Sequence, residues 1–474
     1  MHRLILLVGL FSLATHGAEV SRATPQTSDW TIMLFMNAKN DLECAGIANF
    51  LEIANVGSTA KVNIIVELGR PIKHHYTSDE GGWSGVLRFH VSKGMHPVVS
   101  SAINPSRPEV RNADMGSGET LSDFVRWSEE NYPAKKFMLV IWNHGQGWRF
   151  YQQLAVSDSA KLLGVAYPEI RNLDDEPQHC GPSAQTLTGG VRSVSFDEDT
   201  GNYLYNRDVA NSLRNLHLDV LGFDACLMAT IEGAYAFRHV ADVMVASEEL
   251  VPGDGWNYDI WLRALEDHPE IDGSMLARGI VSSYQTTYGD SGDTTLSAIH
   301  LATVEEATQA LSNFSLLVKS KLSTEGPLLA FTRLSFRTFG DWYQDSWQDC
   351  QGSKVMRFQT IDLIQFLDLY GRKTKDAQIK AAIKRVERQL QGVIIARYAS
   401  SLSAGADHWA SGLAVYFPSS ELDYQCDTDR DGYDIEAVRA GLIPFPPEFV
   451  ERRGWADLLR EYLRSRISPI SSLE

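Results

Sequence analysis

His144 and Cys226 each stand just beyond an apolar run that ends abruptly. The first run is Lys136–Trp142, followed by Asn143, His144 and the glycine-rich Gly145, Gln146, Gly147; the second is Leu218–Phe223, followed by Asp224, Ala225 and Cys226. An imidazole in such a turn suits a general base, and the flanking glycines let a substrate approach closely. A thiol before a helix suits a nucleophile, because a helix N-terminus and a nearby imidazole both favour the thiolate. The sequence places that helix within a residue or two of Cys226. Taken alone, either residue has an ordinary alternative: a histidine that caps a turn, or a buried structural cysteine. Asp224 sits two residues before the thiol, where its charge would raise the thiol pKa. That cost makes sense if the carboxylate turns away to bind a cation. Glu248, Glu249 and Asp254 supply further acid after the next apolar run, Asp242–Ala246, and two carboxylates in one pocket would accept an Arg or Lys side chain. For Glu248 and Glu249, solvated loop acids are an equal reading.

The elements that must hold these residues follow from periodicity. Short apolar runs at Trp30–Met36, Val62–Leu68, Lys136–Trp142, Leu218–Phe223 and Asp242–Ala246 read as strands. Helical patterns at Asn40–Val56, Thr120–Tyr132, Arg207–Leu216 and Leu227–Val240 alternate with them. Strands apolar on both faces and separated by helices define an α/β fold with a mostly parallel sheet flanked by helices. Ligands of such sheets bind beyond the carboxyl ends of the strands, where Asn37, His144, Cys226 and Glu248 lie. Residues 149–206 carry Gly, Pro, Asp and Ser without periodicity, and a loop of that length belongs near the site. Beyond about residue 300 the pattern is mainly helical, at Thr303–Leu322, Gln359–Tyr370 and Lys375–Ile394, and Gly412–Phe417 reads as a strand that rejoins the sheet.

The chain divides on this reading into residues 1–18, 19–305 and a C-terminal accessory region, 306–474, that continues the same unit. Residues 1–18 combine a short basic start, an apolar run too short to span a bilayer and small residues at Gly17 and Ala18, which predicts a signal peptide and a secreted or periplasmic protein. No second run is long enough for a membrane span. The net charge of −17 over 474 residues becomes one unit more negative when Arg3 is removed with the leader. That disfavours nucleic acid or an anionic membrane as partner and favours a cationic substrate. A monomer is expected.

Five cysteines, Cys44, Cys180, Cys226, Cys350 and Cys426, are too few and too far apart for a disulfide scaffold, and their odd number leaves at least one thiol. Asp427, Asp429 and Asp431 alternate before Gly432 as in calcium loops, yet the twelfth position is Val438 rather than an acid. A solvated acidic loop is as good a reading, and the chemistry itself needs no cofactor.

Several blocks together resemble the clostripain family of cysteine peptidases, grouped with caspases, legumains and gingipains. They are Trp30–Ala38 with Asn40–Glu43, Glu119–Phe124, Trp142–Trp148, Gly222–Ala229, Ala246–Glu249, Pro252–Trp256, Thr295–Ile299 and Gly412–Pro418. The resemblance implies a caspase-like fold with His144 and Cys226 as catalytic dyad. It also implies an oxyanion hole from the N–H groups of Gly145 and Cys226, and an S1 pocket with Asp224 and Asp254 that prefers Arg or Lys. Processing in the loop after the histidine strand would make Lys161, Arg171 and Arg192 candidate self-cleavage sites. Gln146 departs from the small residue usual there, and the segment 424–440 is an insert relative to the family. Two other readings compete: an inactive binding protein that keeps the fold, and a hydrolase using Asp224 and Asp254 as paired carboxylates.

Overall fold

The computed structural model describes residues 27–72, 79–103, 105–148, 194–290, 292–340, 359–400, 410–426, 430–433 and 447–465. The expected signal peptide, residues 1–18, and the candidate cleavage sites Lys161, Arg171 and Arg192 lie outside the described residues.

An eight-stranded sheet forms the centre. Its parallel middle comprises β1 (Ser28–Asn37), β2 (Val62–Arg70), β4 (Ala134–Trp142), β7 (Leu218–Asp224) and β8 (Ala241–Ala246). β3 (Gly85–His90), β9 (Thr295–His300) and β11 (Ile394–Ala399) add antiparallel pairings towards the two edges, and the strand order is β11-β9-β8-β7-β4-β1-β2-β3. Alternation along β1 shows why both faces are covered: Met33 and Phe35 enter one core, while Trp30, Ile32, Leu34 and Met36 enter the other. Each such side chain contributes roughly 1.5–3 kcal/mol by leaving water, so a one-residue slip would move both sets to the wrong faces.

The C-terminal strands pair differently from expectation. Gly412–Phe417 contains a short strand, β12 (Ala414–Tyr416), but it pairs with β10 (Thr360–Asp362) in a separate two-stranded sheet instead of rejoining the main one. The edge next to β9 is already taken by β11, a segment whose sequence follows a helix, Ala377–Val393, without a break. Within residues 149–206, the part from Val194 onward holds a small hairpin of β5 (Val194–Asp197) and β6 (Asn202–Leu204).

The helix after β7 is shorter than its apolar pattern implies, running from Ile231 to Phe237. Residues 227–229 are instead drawn across to the chain after β8: Leu227 N–H donates to the Glu249 carbonyl at 3.1 Å and Ala229 N–H to that of Ser247 at 2.9 Å. Leu227 takes a φ of 63° in this turn, and the Thr230 side chain then caps the helix by accepting from Gly233 N–H at 3.0 Å. Among the described helices none is long and apolar enough to cross a membrane.

Candidate active site

The register of β4 on β7 decides where the site lies. Trp142 pairs with Asp224, so His144 and Cys226, each two residues further on, leave the sheet side by side. Their loops touch: a Cβ on Gly145 would lie 2.4 Å from the Cys226 carbonyl oxygen and 3.0 Å from its nitrogen. Only glycine tolerates that approach.

A polar network fixes the histidine. Asn143 Oδ1 accepts from His144 N–H at 2.6 Å and from Phe196 N–H at 3.2 Å, while Asn143 Nδ2 donates to the Asn37 carbonyl at the end of β1. Asn40 Nδ2 donates to the Phe196 carbonyl at 2.9 Å. β5 thus ties the loop after β1 to the loop after β4. The imidazole Nε2 lies 2.8 Å from Asp41 Oδ1, and both side chains are largely buried.

The thiol of Cys226 meets the loop after β8. Val251 N–H donates to Sγ at 3.3 Å, and Sγ faces the Val251 carbonyl at 3.8 Å. Burial pushes the thiol pKa up to about 11, against the Val251 N–H, and the charges of Glu249 and Asp224 add to the rise. The thiol is therefore protonated at rest, and the helix is no remedy, since it begins five residues later at Ile231. The expected help from a helix N-terminus is absent because the turn 225–230 separates the two. Cys226 is the free cysteine among the described residues, whereas Cys44 is disulfide-bonded.

Asp224 turns from the thiol towards the loop after β8, where Oδ2 accepts from Trp256 N–H at 3.0 Å and from Tyr258 Oη at 2.8 Å. Burial pushes its carboxyl up to about 6 despite those two bonds. Gly255, at φ 64°, makes room for it: a Cβ there would lie 2.7 Å from Asp224 Oδ2. Asp254 is exposed, and its carbonyl accepts from Asn49 Nδ2 at 2.9 Å. A third acid joins them from helix α1 (Glu43–Val56). Glu52 accepts from Tyr258 N–H at 3.4 Å, and burial, with Asp224 and Asp254 adding, pushes its carboxyl up to about 7.

Glu248 and Glu249 are neither solvated nor part of this group. Glu248 is buried with Oε2 accepting from Gly412 N–H at 2.6 Å, and Glu249 Oε1 accepts from Leu250 and Gly340 N–H groups at 2.9 and 2.8 Å. Of the calcium candidates, Asp427 and Asp429 lie outside the described residues, as does the side chain of Asp431. No group of three metal-ligating side chains occurs among the described residues.

Sequence reasoning missed Asp41 and Glu52. Asp41 is the fifth residue past Met36, still on the carboxyl edge of the sheet, so attention to whole loops rather than to the first residue after each strand would have found it. Glu52 sits mid-helix, and no local signal marks it.

A thiol and an imidazole on adjacent strand ends, with acids beside the thiol, define a cysteine hydrolase on an α/β sheet. The sequence matches the clostripain family over residues 35–174 and 181–430, and the chain belongs to that family of cysteine endopeptidases. It is 24% identical to clostripain of Hathewaya histolytica over 498 residues, covering 90% of this chain and 86% of that protein. Its fold is similar to an inactive zymogen C11 protease from Parabacteroides distasonis, with TM-score 0.55, 17% identity, and 84% of this chain and 95% of the other covered. It is also similar to a secreted C11 cysteine protease from Bacteroides thetaiotaomicron solved with an irreversible peptide inhibitor. There the TM-score is 0.53, the identity 16%, and the coverage 91% of this chain and 99% of the other.

Proposed function

We propose that this peptidase is exported and cleaves peptide bonds after Arg or Lys, with Cys226 as nucleophile and His144 as base. The observation that carries the reading is the β4–β7 register, which sets the two residues side by side at the carboxyl edge. As the Cys226 sulfur bonds to the scissile carbonyl carbon, its proton passes to the imidazole. The N–H groups of Gly145 and Cys226 stabilise the oxyanion. The C–N bond then breaks, His144 protonates the departing amine, and an acyl-enzyme remains. Water attacks that thioester with its proton going to His144, and the sulfur leaves and is reprotonated.

Asp224 and Asp254 receive the cationic side chain before the scissile bond, with Glu52 adding charge behind them. The strongly acidic chain and its relationship to clostripain agree with a basic substrate. Self-cleavage at Lys161, Arg171 or Arg192 would activate the enzyme, in keeping with a relative described as an inactive zymogen. A resting thiol kept protonated by burial suits such a precursor.

Cys226→Ala should abolish cleavage of an arginyl peptide amide while leaving the thermal unfolding midpoint within a few degrees. An arginyl electrophile should label the wild type at Cys226 alone. Retained hydrolysis in the alanine variant would remove Cys226 from the mechanism; absence of labelling after incubation under cleaving conditions would favour an inactive binding protein.

A further inference from the structure

We propose that Asp41 is the positioning residue of the base: it holds the proton of His144 on Nε2 and so makes Nδ1 the atom that exchanges a proton with Cys226 and the leaving amine. This rests on the dyad reading above. The argument begins with the 2.8 Å contact between Nε2 and Asp41 Oδ1. A carboxylate has no proton to give, so the shared hydrogen belongs to the imidazole nitrogen. A neutral imidazole carries one N–H, and placing it on Nε2 leaves the lone pair on Nδ1.

Asp41 is itself held in place from both sides. Before it, Asn40 Oδ1 accepts from Leu42 N–H at 2.9 Å and Asn40 Nδ2 reaches the Phe196 carbonyl. After it, Glu43 opens helix α1 and is anchored by Arg70 Nε at 2.6 Å in a fully buried pair. Lys39, two positions earlier in the chain, is engaged elsewhere: its Nζ lies 2.8 Å from Asp197 and 3.3 Å from Asp199. Among the described residues the ion-pair partner of the Asp41 charge is the imidazole.

That charge matters because the first step creates an imidazolium. When the S–H bond breaks and the proton arrives on Nδ1, His144 becomes positive, and a carboxylate 2.8 Å from Nε2 stabilises it. Burial makes the Cys226 thiol reluctant to ionise, so the acceptor must be correspondingly well supported. In each step the Nε2 proton stays on nitrogen; Asp41 neither gains nor loses one.

The test uses the full chain with Asp41→Asn, Asp41→Ala and Asp41→Glu. Asn and Ala should lower kcat on an arginyl substrate by about 100-fold or more, within the range for a misplaced general base, with KM unchanged and the unfolding midpoint close to wild type. Glu should recover part of the loss. Nitrogen-15 NMR of the imidazole, assigned by difference with His144→Gln, should show the Nε2–H tautomer in wild type and its loss in Asp41→Ala. Unchanged kcat in Asp41→Ala, or an unchanged tautomer beside a lowered kcat, would overturn the proposal. Activity persisting in Cys226→Ala would instead overturn the dyad reading, so the two failures are told apart.

Discussion

Two groups of carboxylates flank Cys226, and they begin at neighbouring positions on neighbouring strands. Asp224 ends β7 and meets Asp254 and Glu52 on the side of α1. Glu248 and Glu249 follow β8 and meet Asp362 and the chain at Gly412 on the other side. In the second group one oxygen of each glutamate is committed to backbone N–H groups. Glu249 takes two, Glu248 takes one, and Asp362 takes those of Gln365 and Ser411. Burial and the facing Asp362 hold Glu248 well above the usual carboxylate range. Two backbone donors favour the ionised form of Asp362, so the proton between the two resides on Glu248. The first group keeps an exposed member, Asp254, and only Asp224 in it has two protein donors. Position after a strand brings an acid to the rim; exposure then separates the two groups, since Glu248, Glu249 and Asp362 are all buried whereas Asp254 stays exposed.

The sharpest way to break this division is to remove charge from the first group. Asp224→Asn and Asp254→Asn should each lower kcat/KM for arginyl and lysyl substrates by about 10- to 100-fold, the worth of one hydrogen bond to a charged group. The amide oxygen introduced by Asp224→Asn can still accept from Trp256 and Tyr258, so the effect should fall on specificity rather than stability. Steady-state kinetics against a matched substrate with a neutral residue before the scissile bond checks this. An equal loss on both substrates would make these acids structural, like the second group.

Glu52 sharpens the comparison through pH. Its carboxyl, pushed up to about 7, is neutral below that pH and negative above it. KM for an arginyl substrate should therefore fall by about threefold to tenfold as pH rises through 7, consistent with a partly solvated charge pair. Glu52→Gln should flatten that limb and leave kcat alone. A pH–KM profile identical to wild type would place Glu52 outside the pocket.

How far these roles can be read from the sequence varies with the distance over which each is determined. The strand ends carrying His144 and Cys226 are local features, set by apolar runs with an abrupt polar stop, and five of the eight sheet strands follow directly from such runs. Their adjacency is not local; it needs the order β7-β4, which no residue spells out. The true helix start after Cys226 is hidden because Leu227, Met228 and Ala229 continue an apolar pattern, while the N–H groups of Leu227 and Ala229 are claimed by the chain after β8. The pattern of Gly412–Phe417 identifies a strand but not its sheet, since it cannot show that β11 fills the edge beside β9. Glu248 and Glu249 look like loop acids until Gly412 and Gly340, far along the chain, arrive with their N–H groups.

The smallest expected effect tests the second group at Glu249, whose carboxyl burial pushes up to about 8. In the unfolded chain an ordinary glutamate releases its proton near 4.5, so between those values the folded protein binds a proton that the unfolded chain does not. Stability must then decline as pH rises from about 4.5 to 8. Glu249→Gln keeps an oxygen for the Leu250 and Gly340 N–H groups and carries no titrating proton. Its unfolding midpoint relative to wild type should therefore shift upward by a few degrees between about pH 5 and pH 9, whatever fixed cost the new amide hydrogens impose. Calorimetry at the two pH values reads that difference directly. A constant offset would mean that Glu249 titrates alike in folded and unfolded chains, and that its backbone partners, rather than burial of a neutral acid, account for its place near Cys226.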